Sequence, residues 1–367
     1  MKNKKIFLYT PSLHPGGVFN SNKLLAQGFA KKGYKVKIIT NRKTDLEIDG
    51  FEHIHLNAGD FIRPFKLKKI ILEEKPLAIF SNMQTQNISL ALAKIFTSRE
   101  KINTKFIGFV RNSDAYVKYN KFYKLPLRLI INKLYKKLDK IIAISNSAKY
   151  DVIRTFFLND KNIYVVPNPI EISVLNELKK ENIKTEEKSI FKNPTLLYAG
   201  RFSKQKRLDL LLNIFKKLNN IYPKLNLVLV GDGEEKGNLI KQIKQKKINN
   251  VYFLPFTNNP FKYMSKATLF LLTSYEEGLG RVVVESFACG TPVIAFKNEF
   301  SGHVDIIDDG KNGFLVPFAD INQFVEKVKI LLENENLRKE FSKNAIEKAK
   351  EFEINKIISR LEELIYN

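Results

Sequence analysis

The 367-residue chain has one cysteine, Cys289, so it can form no internal disulfide and offers no cysteine cluster for a structural zinc. That usage fits a reducing compartment. No apolar run approaches the roughly 18 residues that a membrane-crossing helix needs. The start, Met1-Lys2-Asn3-Lys4-Lys5, is basic, yet the apolar stretch behind it is only Ile6–Tyr9. That is too short for the core of a secretion signal, and no small-residue cleavage site follows. It reads as a first strand, and a cytosolic protein is the expectation. Histidine is scarce: His14, His53, His55 and His303 are the full set. His53 and His55 alternate along a strand-like run, which puts them on one face of a sheet rather than in a metal pair. Hydrophobicity is not lacking. With 44% apolar and 27% charged residues, disorder is excluded for most of the chain, and the length allows about two domains.

Positive charge is in excess, and it is unevenly placed. The net charge is +24, and residues 1–168 alone carry 31 Lys and Arg against 12 Asp and Glu. AT-rich coding would raise lysine everywhere and does not explain that asymmetry. The first half therefore favours an anionic partner: nucleic acid, an acidic membrane surface or a phosphorylated substrate.

Short, continuous apolar runs alternate with helical patterns. Ile6–Thr10, Val36–Thr40, Ala78–Ser81, Phe106–Val110, Ile141–Ser145 and Tyr164–Val166 are strand candidates in the first half. Leu196–Ala199, Leu225–Val230, Val251–Leu254, Leu269–Thr273, Val293–Ala295 and Phe314–Val316 follow in the second. Uninterrupted apolar strands are those buried on both faces of a parallel sheet. The fold class is α/β, with two facing, doubly wound, Rossmann-like domains and a cleft between them. The expected domains are residues 1–175 and 190–350, with the polar stretch 176–193 as linker. Residues 351–367 are expected to form a helix that packs back on the N-terminal domain. Helices are predicted at Gln205–Ile221, Arg281–Cys289 and Ile354–Ile365, among others.

Two segments carry chemistry. Gly200-Arg201-Phe202-Ser203-Lys204-Gln205-Lys206 lies where a strand's carboxyl end meets a helix start. Fixed cations there, beside unpaired backbone N–H groups, suit a diphosphate; a solvated basic turn is the plainer alternative. Lys206 is read as a residue of a surface loop, replaceable with little effect on the fold. The second segment is Ser274-Tyr275-Glu276-Glu277-Gly278-Leu279-Gly280-Arg281-Val282-Val283-Val284-Glu285. Its Gly-Leu-Gly turn lets the backbone approach a ligand. Its two carboxylates can accept hydrogen bonds from hydroxyls, one from a ribose and one from a hexose. Each Glu alone could equally serve a helix dipole.

Glu277 and Glu285 with seven residues between them, followed by Ser286-Phe287-Ala288-Cys289-Gly290-Thr291-Pro292, resemble the signature of the family 4 glycosyltransferases, glycosyl transferases group 1. These are retaining, nucleotide-sugar-dependent enzymes of the GT-B fold. Gly200-Arg201 with Lys206, Leu229-Val230-Gly231-Asp232-Gly233, Asp309-Gly310, Pro15-Gly16-Gly17 and Pro167-Asn168-Pro169 match in order. The resemblance implies that Arg201 and Lys206 hold the donor diphosphate, with Gly200 and Gly231 also among the donor-binding residues. It implies that Glu277 binds sugar hydroxyls beside Gly278, Leu279 and Gly280, and that Glu285 binds the ribose. Gly16 and Gly17 would let a loop close on the phosphates, and the backbone near Phe256 would meet the base.

There are two departures. Arg111 stands where many relatives carry His, open to a donor or an acceptor phosphate, with Asp114 as a candidate base. Arg207 stands where relatives often have Gly. No Asp-x-Asp occurs, so the acidic magnesium motif of the other large glycosyltransferase fold is missing. A metal-independent enzyme without a cofactor is expected, with Arg201 and Lys206 neutralising the leaving group.

Residues 118–140 hold Lys118, Lys121, Lys124, Arg128, Lys133, Lys136, Lys137 and Lys140 against one acid, Asp139, with interleaved aromatic and aliphatic residues. Such a helix can lie on an anionic membrane, and Phe61–Lys69 extends the surface. A domain helix with a solvated face is the alternative. The expectation is an enzyme on the cytoplasmic face of a bacterial inner membrane. It moves a hexose or N-acetylhexosamine from a UDP- or GDP-sugar to a lipid-linked saccharide, in lipopolysaccharide, O-antigen or capsule assembly. The rivals are a basic nucleic-acid-binding protein, although no nucleic-acid motif occurs, and a GT-B phosphorylase or sugar-nucleotide epimerase.

Overall fold

A computed structural model describes residues 4–13, 16–43, 46–112, 121 and 124–367. The chain forms two compact units, Met1–Pro169 with Ile354–Asn367, and Ile170–Glu353. In the first, β1 (Lys5–Thr10), β2 (Lys35–Thr40), β3 (Glu52–His55), β4 (Ala78–Asn82), β5 (Lys105–Val110), β6 (Lys140–Ala143) and β7 (Ile163–Val165) form a sheet in the order β3-β2-β1-β4-β5-β6-β7. In the second, β8 (Thr195–Ala199), β9 (Asn226–Val230), β10 (Val251–Leu254), β11 (Leu269–Leu272), β12 (Val293–Lys297) and β13 (Gly313–Pro317) run β10-β9-β8-β11-β12-β13. The named strand pairings are parallel.

The apolar runs explain the layering. Ile6, Phe7, Leu8 and Tyr9 are fully buried, as are Leu269, Phe270 and Leu271, so helices must cover both faces of each central strand. Winding reverses between β1 and β4 in the first unit and between β8 and β11 in the second. Loops at the carboxyl ends of those strands are where an open α/β sheet takes its ligand.

Three elements differ from expectation. The helix predicted from Gln205 begins at Leu208, because Lys204–Lys206 form a 3-10 turn and Arg207 sits at φ +49°. That left-handed backbone is what glycine enters freely; Arg207 is held in it by bonds of 2.9 Å to each Asp209 oxygen. The stretch 176–193 is not a bare connector. It contains the end of a helix Ile172–Leu178, a turn of helix Thr185–Lys188 and a 3-10 turn Ile190–Lys192. Its polar residues find partners in the second unit: Tyr263 Oη donates to Glu187 Oε2 at 2.9 Å, and Asn259 Nδ2 donates to Leu178 O at 2.8 Å. The strand expected through Ser145 stops at Ala143, where Ser145 caps the helix Asn146–Phe156 by accepting from the Ala148 N–H.

The helix Ile354–Tyr366 belongs to the first unit, although the second unit precedes it in the chain. It buries Ile354, Ile357, Ile358, Leu361 and Ile365, each worth about 1.5–3 kcal/mol against exposure. It seats on Gly28 of the helix Gly17–Lys31, where an added Cβ would lie 2.5 Å from Ile358 Cγ1. Glu362 accepts from Lys32 and, at 2.9 Å, from Tyr34 Oη.

Candidate active site

The second unit gathers most of the predicted residues at its winding reversal. Gly200 to Lys206 follow β8, and Ser274 to Gly280 follow β11. Three hydrogen bonds lock these loops together: Tyr275 N to Gln205 O at 2.9 Å, Gln205 Nε2 to Glu276 O at 2.8 Å, and Thr273 Oγ1 to Lys206 O at 3.0 Å. The lock brings Lys206 Nζ to 2.6 Å from Glu277 Oε1, which also accepts from Ser274 Oγ at 2.7 Å.

Lys206 is therefore not a free surface side chain. It is 20% exposed, and the Glu277 carboxylate 12%. Burial alone would push the Glu277 carboxyl up. The Lys206 ammonium, with the Ser274 hydroxyl, outweighs burial and holds it below the usual carboxylate range. The result is a charged carboxylate and a charged ammonium side by side. An ammonium has three donors and Glu277 takes one, so Lys206 can still serve an anion. Arg201 points elsewhere, reaching Glu234 Oε2 at 3.2 Å, and is largely exposed.

The glycines do separate work. Gly280 begins the helix Arg281–Ala288 at φ +76°, and a Cβ there would lie 2.7 Å from His303 Cβ. At Gly231 (φ +139°) a Cβ would lie 2.1 Å from Gly200 O, so this glycine lets the loops after β8 and β9 touch. Leu279 is buried in the core, which leaves only its backbone for a ligand. Phe256, past the end of β10, is exposed.

Glu285 accepts from Arg281 Nε at 2.7 Å, one helical turn away. Burial raises its carboxyl above the usual value, and Arg281 only partly offsets this. Arg281 was missed by sequence reasoning, although its spacing from Glu285 is that of a helical ion pair. His303 was missed too. It is fully buried beneath the Gly280 turn, with Nε2 2.7 Å from Phe296 O, and burial pulls it below its usual value toward the neutral form. Cys289 is buried at the end of the helix, and burial pushes its thiol up to about 12, the state of an inert thiol.

In the first unit, Gly16 and Gly17 open the helix after β1, and among the described residues a Cβ on either would meet nothing within 4 Å. Arg111, just past β5, is buried. Its Nε donates to Asn82 Oδ1 at 2.6 Å, and its Nη1 to Asn168 Oδ1 at 2.6 Å and to Ser21 Oγ at 2.9 Å. Burial pushes it down to about 9. Asp114 and Lys118 lie outside the described residues.

On the basic segment, Lys121, Lys133, Lys136 and Lys137 are exposed and Lys124 is half-buried. Arg128 turns back instead: its Nε donates to Thr155 O at 2.6 Å, and its guanidinium lies 4.3 Å from the Phe157 ring centroid. Beside these cations Leu127, Leu129, Ile130 and Phe157 are exposed, and on the other stretch Phe61, at 92%, Ile62 and Phe65 are too. Arg63 is turned inward to Ala58 O and Asp60. Among the described residues no helix is long and apolar enough to cross a membrane.

The profile of Glycosyl transferases group 1 matches residues 179–348, and that of Glycosyltransferase Family 4 matches residues 15–174. An uncharacterized glycosyltransferase of Methanocaldococcus jannaschii is 32% identical over 83% of this chain and 82% of its own. N-acetylgalactosamine-N,N'-diacetylbacillosaminyl-diphospho-undecaprenol 4-alpha-N-acetylgalactosaminyltransferase of Campylobacter jejuni is 28% identical over 97% of each chain. The crystal structure of Anabaena Alr3699/HepE in complex with UDP superposes with a TM-score of 0.82 at 20% identity, over 99% of each chain.

Proposed function

Because the chain belongs to the family 4, group 1 glycosyltransferases and has their GT-B fold, we propose that it moves a hexose or N-acetylhexosamine from a UDP- or GDP-sugar to a lipid-linked saccharide. The observation that carries this reading is the Lys206–Glu277 pair beside the Gly278–Gly280 turn. A leaving diphosphate develops charge as the glycosidic bond breaks. A preorganised ammonium in a partly water-excluded site stabilises that charge, and Arg201 adds a second, more exposed cation. The charged Glu277 is an acceptor for sugar hydroxyls. Glu285, near the start of the helix, is an acceptor for ribose hydroxyls and gives up the Arg281 bond to serve them. The cations at the diphosphate support metal-independent transfer, and the family resemblance supports retention of configuration.

The Campylobacter jejuni relative's diphospho-undecaprenol acceptor supports a lipid-linked acceptor here, in bacterial surface-glycan assembly. The exposed Phe61, Ile62, Phe65, Leu127, Leu129 and Ile130, flanked by lysines, support docking on the anionic cytoplasmic face of a membrane.

The test is calorimetry of the purified protein against UDP, GDP, ADP and their sugar conjugates, in EDTA and in magnesium. Tight binding of one base in EDTA is the expected result. A ligand at a hundredfold excess over Kd adds about 2.7 kcal/mol of stability. No binding of any nucleotide under either condition overturns the reading. NMR of the product's anomeric proton then decides retention.

A further inference from the structure

We infer that the first unit carries a phosphoryl-binding site of its own, centred on Arg111, and that it takes a phosphate or diphosphate of the acceptor. The inference rests on the reading above for the word acceptor, and on geometry for the site. Arg111 is 6% exposed, and its guanidinium lies 4.7 Å from the Phe109 ring centroid. Among the described residues its hydrogen-bond partners are neutral: Asn82, Asn168 and Ser21. No carboxylate among them forms an ion pair with it. A buried cation without counter-charge is among the most costly groups a fold can hold. An anionic ligand removes that cost, and a guanidinium fork suits phosphoryl oxygens above other anions.

The surroundings are also short of acceptors. Among the described residues Arg111 Nη2 is buried with no partner, and so are Asn22 Nδ2 and Thr10 Oγ1. The three lie close in the fold. Thr10 ends β1, Asn22 is in the helix after it, and Arg111 follows β5. Asn82, at the end of β4 between those strands, bonds to two of the three, donating to Asn22 Oδ1 at 3.0 Å and accepting from Arg111 Nε. Two of the unmet atoms can only donate, and Thr10 Oγ1 can do so. Donors beside a lone positive charge call for an anionic oxygen. The helix Gly17–Lys31, which brings Ser21 and Asn22, has no acid in its first turn and starts at two glycines where, among the described residues, a Cβ would meet nothing within 4 Å. Its dipole favours the same charge. The second unit has Arg201 and Lys206 for the donor diphosphate, so the acceptor is the substrate left to match Arg111.

The test uses the full chain with Arg201→Ala and Lys206→Ala, which silences the other unit, and inorganic pyrophosphate as probe at fixed ionic strength. Calorimetry should show one site, weakened at least tenfold by adding Arg111→Gln. Because Arg111→Gln removes three hydrogen bonds, Asn22→Asp is the second variant. It keeps the oxygen that Asn82 binds and supplies Arg111 with a counter-charge. It should raise Tm in the absence of ligand and abolish pyrophosphate binding. No pyrophosphate binding in the parent, or binding unchanged by either variant, overturns the site. In the otherwise native enzyme, Arg111→Lys should raise KM for the acceptor and leave KM for the nucleotide sugar unchanged; the reverse split overturns the assignment to the acceptor. Should no sugar transfer be found with any donor, the functional reading fails while pyrophosphate binding still decides the site.

Discussion

Lys206 and Glu277, 71 residues apart in sequence, meet at 2.6 Å across two loops that follow different strands. Each is the other's main counter-charge, and each depends on the loop lock through Gln205, Tyr275 and Thr273 for its position. The pair is part of the fold as well as of the site.

Removing one partner should therefore cost stability. Lys206→Ala leaves Glu277 half-buried without its ammonium, a loss of about 2 kcal/mol once its residual exposure is allowed for. Transfer should fall by more than about a hundredfold. Adding Glu277→Gln should restore most of the stability and none of the activity. Urea unfolding with turnover assays reads both, and a single variant that unfolds at the wild-type midpoint would count against the coupling.

The two carboxylates of the motif should respond to pH in opposite senses. Glu277 lies below the ordinary range, so its contribution is complete above that range and is lost as pH falls through its lowered value. Glu285 lies above it, so its contribution is full below the ordinary range and is lost as pH rises through its raised value. Glu277→Gln should be destabilising at neutral pH and converge on wild type in acid. Glu285→Gln, which keeps an oxygen for Arg281, should match wild type in acid, exceed it at neutral pH, and bind nucleotide more weakly. Unfolding curves from about pH 4 to pH 7 separate these cases.

Glycine substitutions should sort by what each Cβ meets. Gly231→Ala drives a methyl into the Gly200 carbonyl, a backbone group that cannot step aside, and should largely prevent folding of the second unit. Gly280→Ala meets the His303 side chain at a positive φ and should fold with a loss of about 1–3 kcal/mol and weaker donor binding. Gly17→Ala meets nothing within 4 Å among the described residues and should melt as wild type does. Melting curves of the three, in that order, check the ranking.

Truncation after Glu353 exposes the face of the first unit that Ile357, Ile358 and Leu361 cover. At about 1.5–3 kcal/mol for each buried side chain, the loss is comparable with the whole stability of an ordinary domain. Limited proteolysis should find the first unit cleaved rapidly and the second resistant.

Phe61→Ser with Phe65→Ser should reduce binding to vesicles containing anionic lipid by several-fold without changing turnover on a soluble acceptor analogue. The binding that remains should fall with salt, since it comes from lysines. Cosedimentation reads it, and undiminished binding would move the docking surface elsewhere.

The parallel sheets could be read in the sequence because each strand is a continuous apolar run, and that pattern has one common solution. The loops after β8 and β11 were readable from their glycines and charges. The pairing of Lys206 with Glu277 was not, because nothing local to either residue points across 71 positions. Arg207 hid the start of a helix, since an arginine gives no sign of a left-handed backbone. The polar stretch 176–193 looked like a linker because its partners, Tyr263 and Asn259, lie far along the chain. Arg128 counted as a surface cation because charge is visible in a sequence and direction is not.

The helix Ile354–Tyr366 closes the unit that the first residues of the chain open. During synthesis, Ile170–Glu353 is a continuous stretch that can complete its core as it emerges. The first unit cannot do so until Ile354–Tyr366 has left the ribosome. Although it is made first, it folds to completion last. Until then it shows its greasy seat around Gly28 to the cell, so a premature stop before Ile354 would condemn the part translated first.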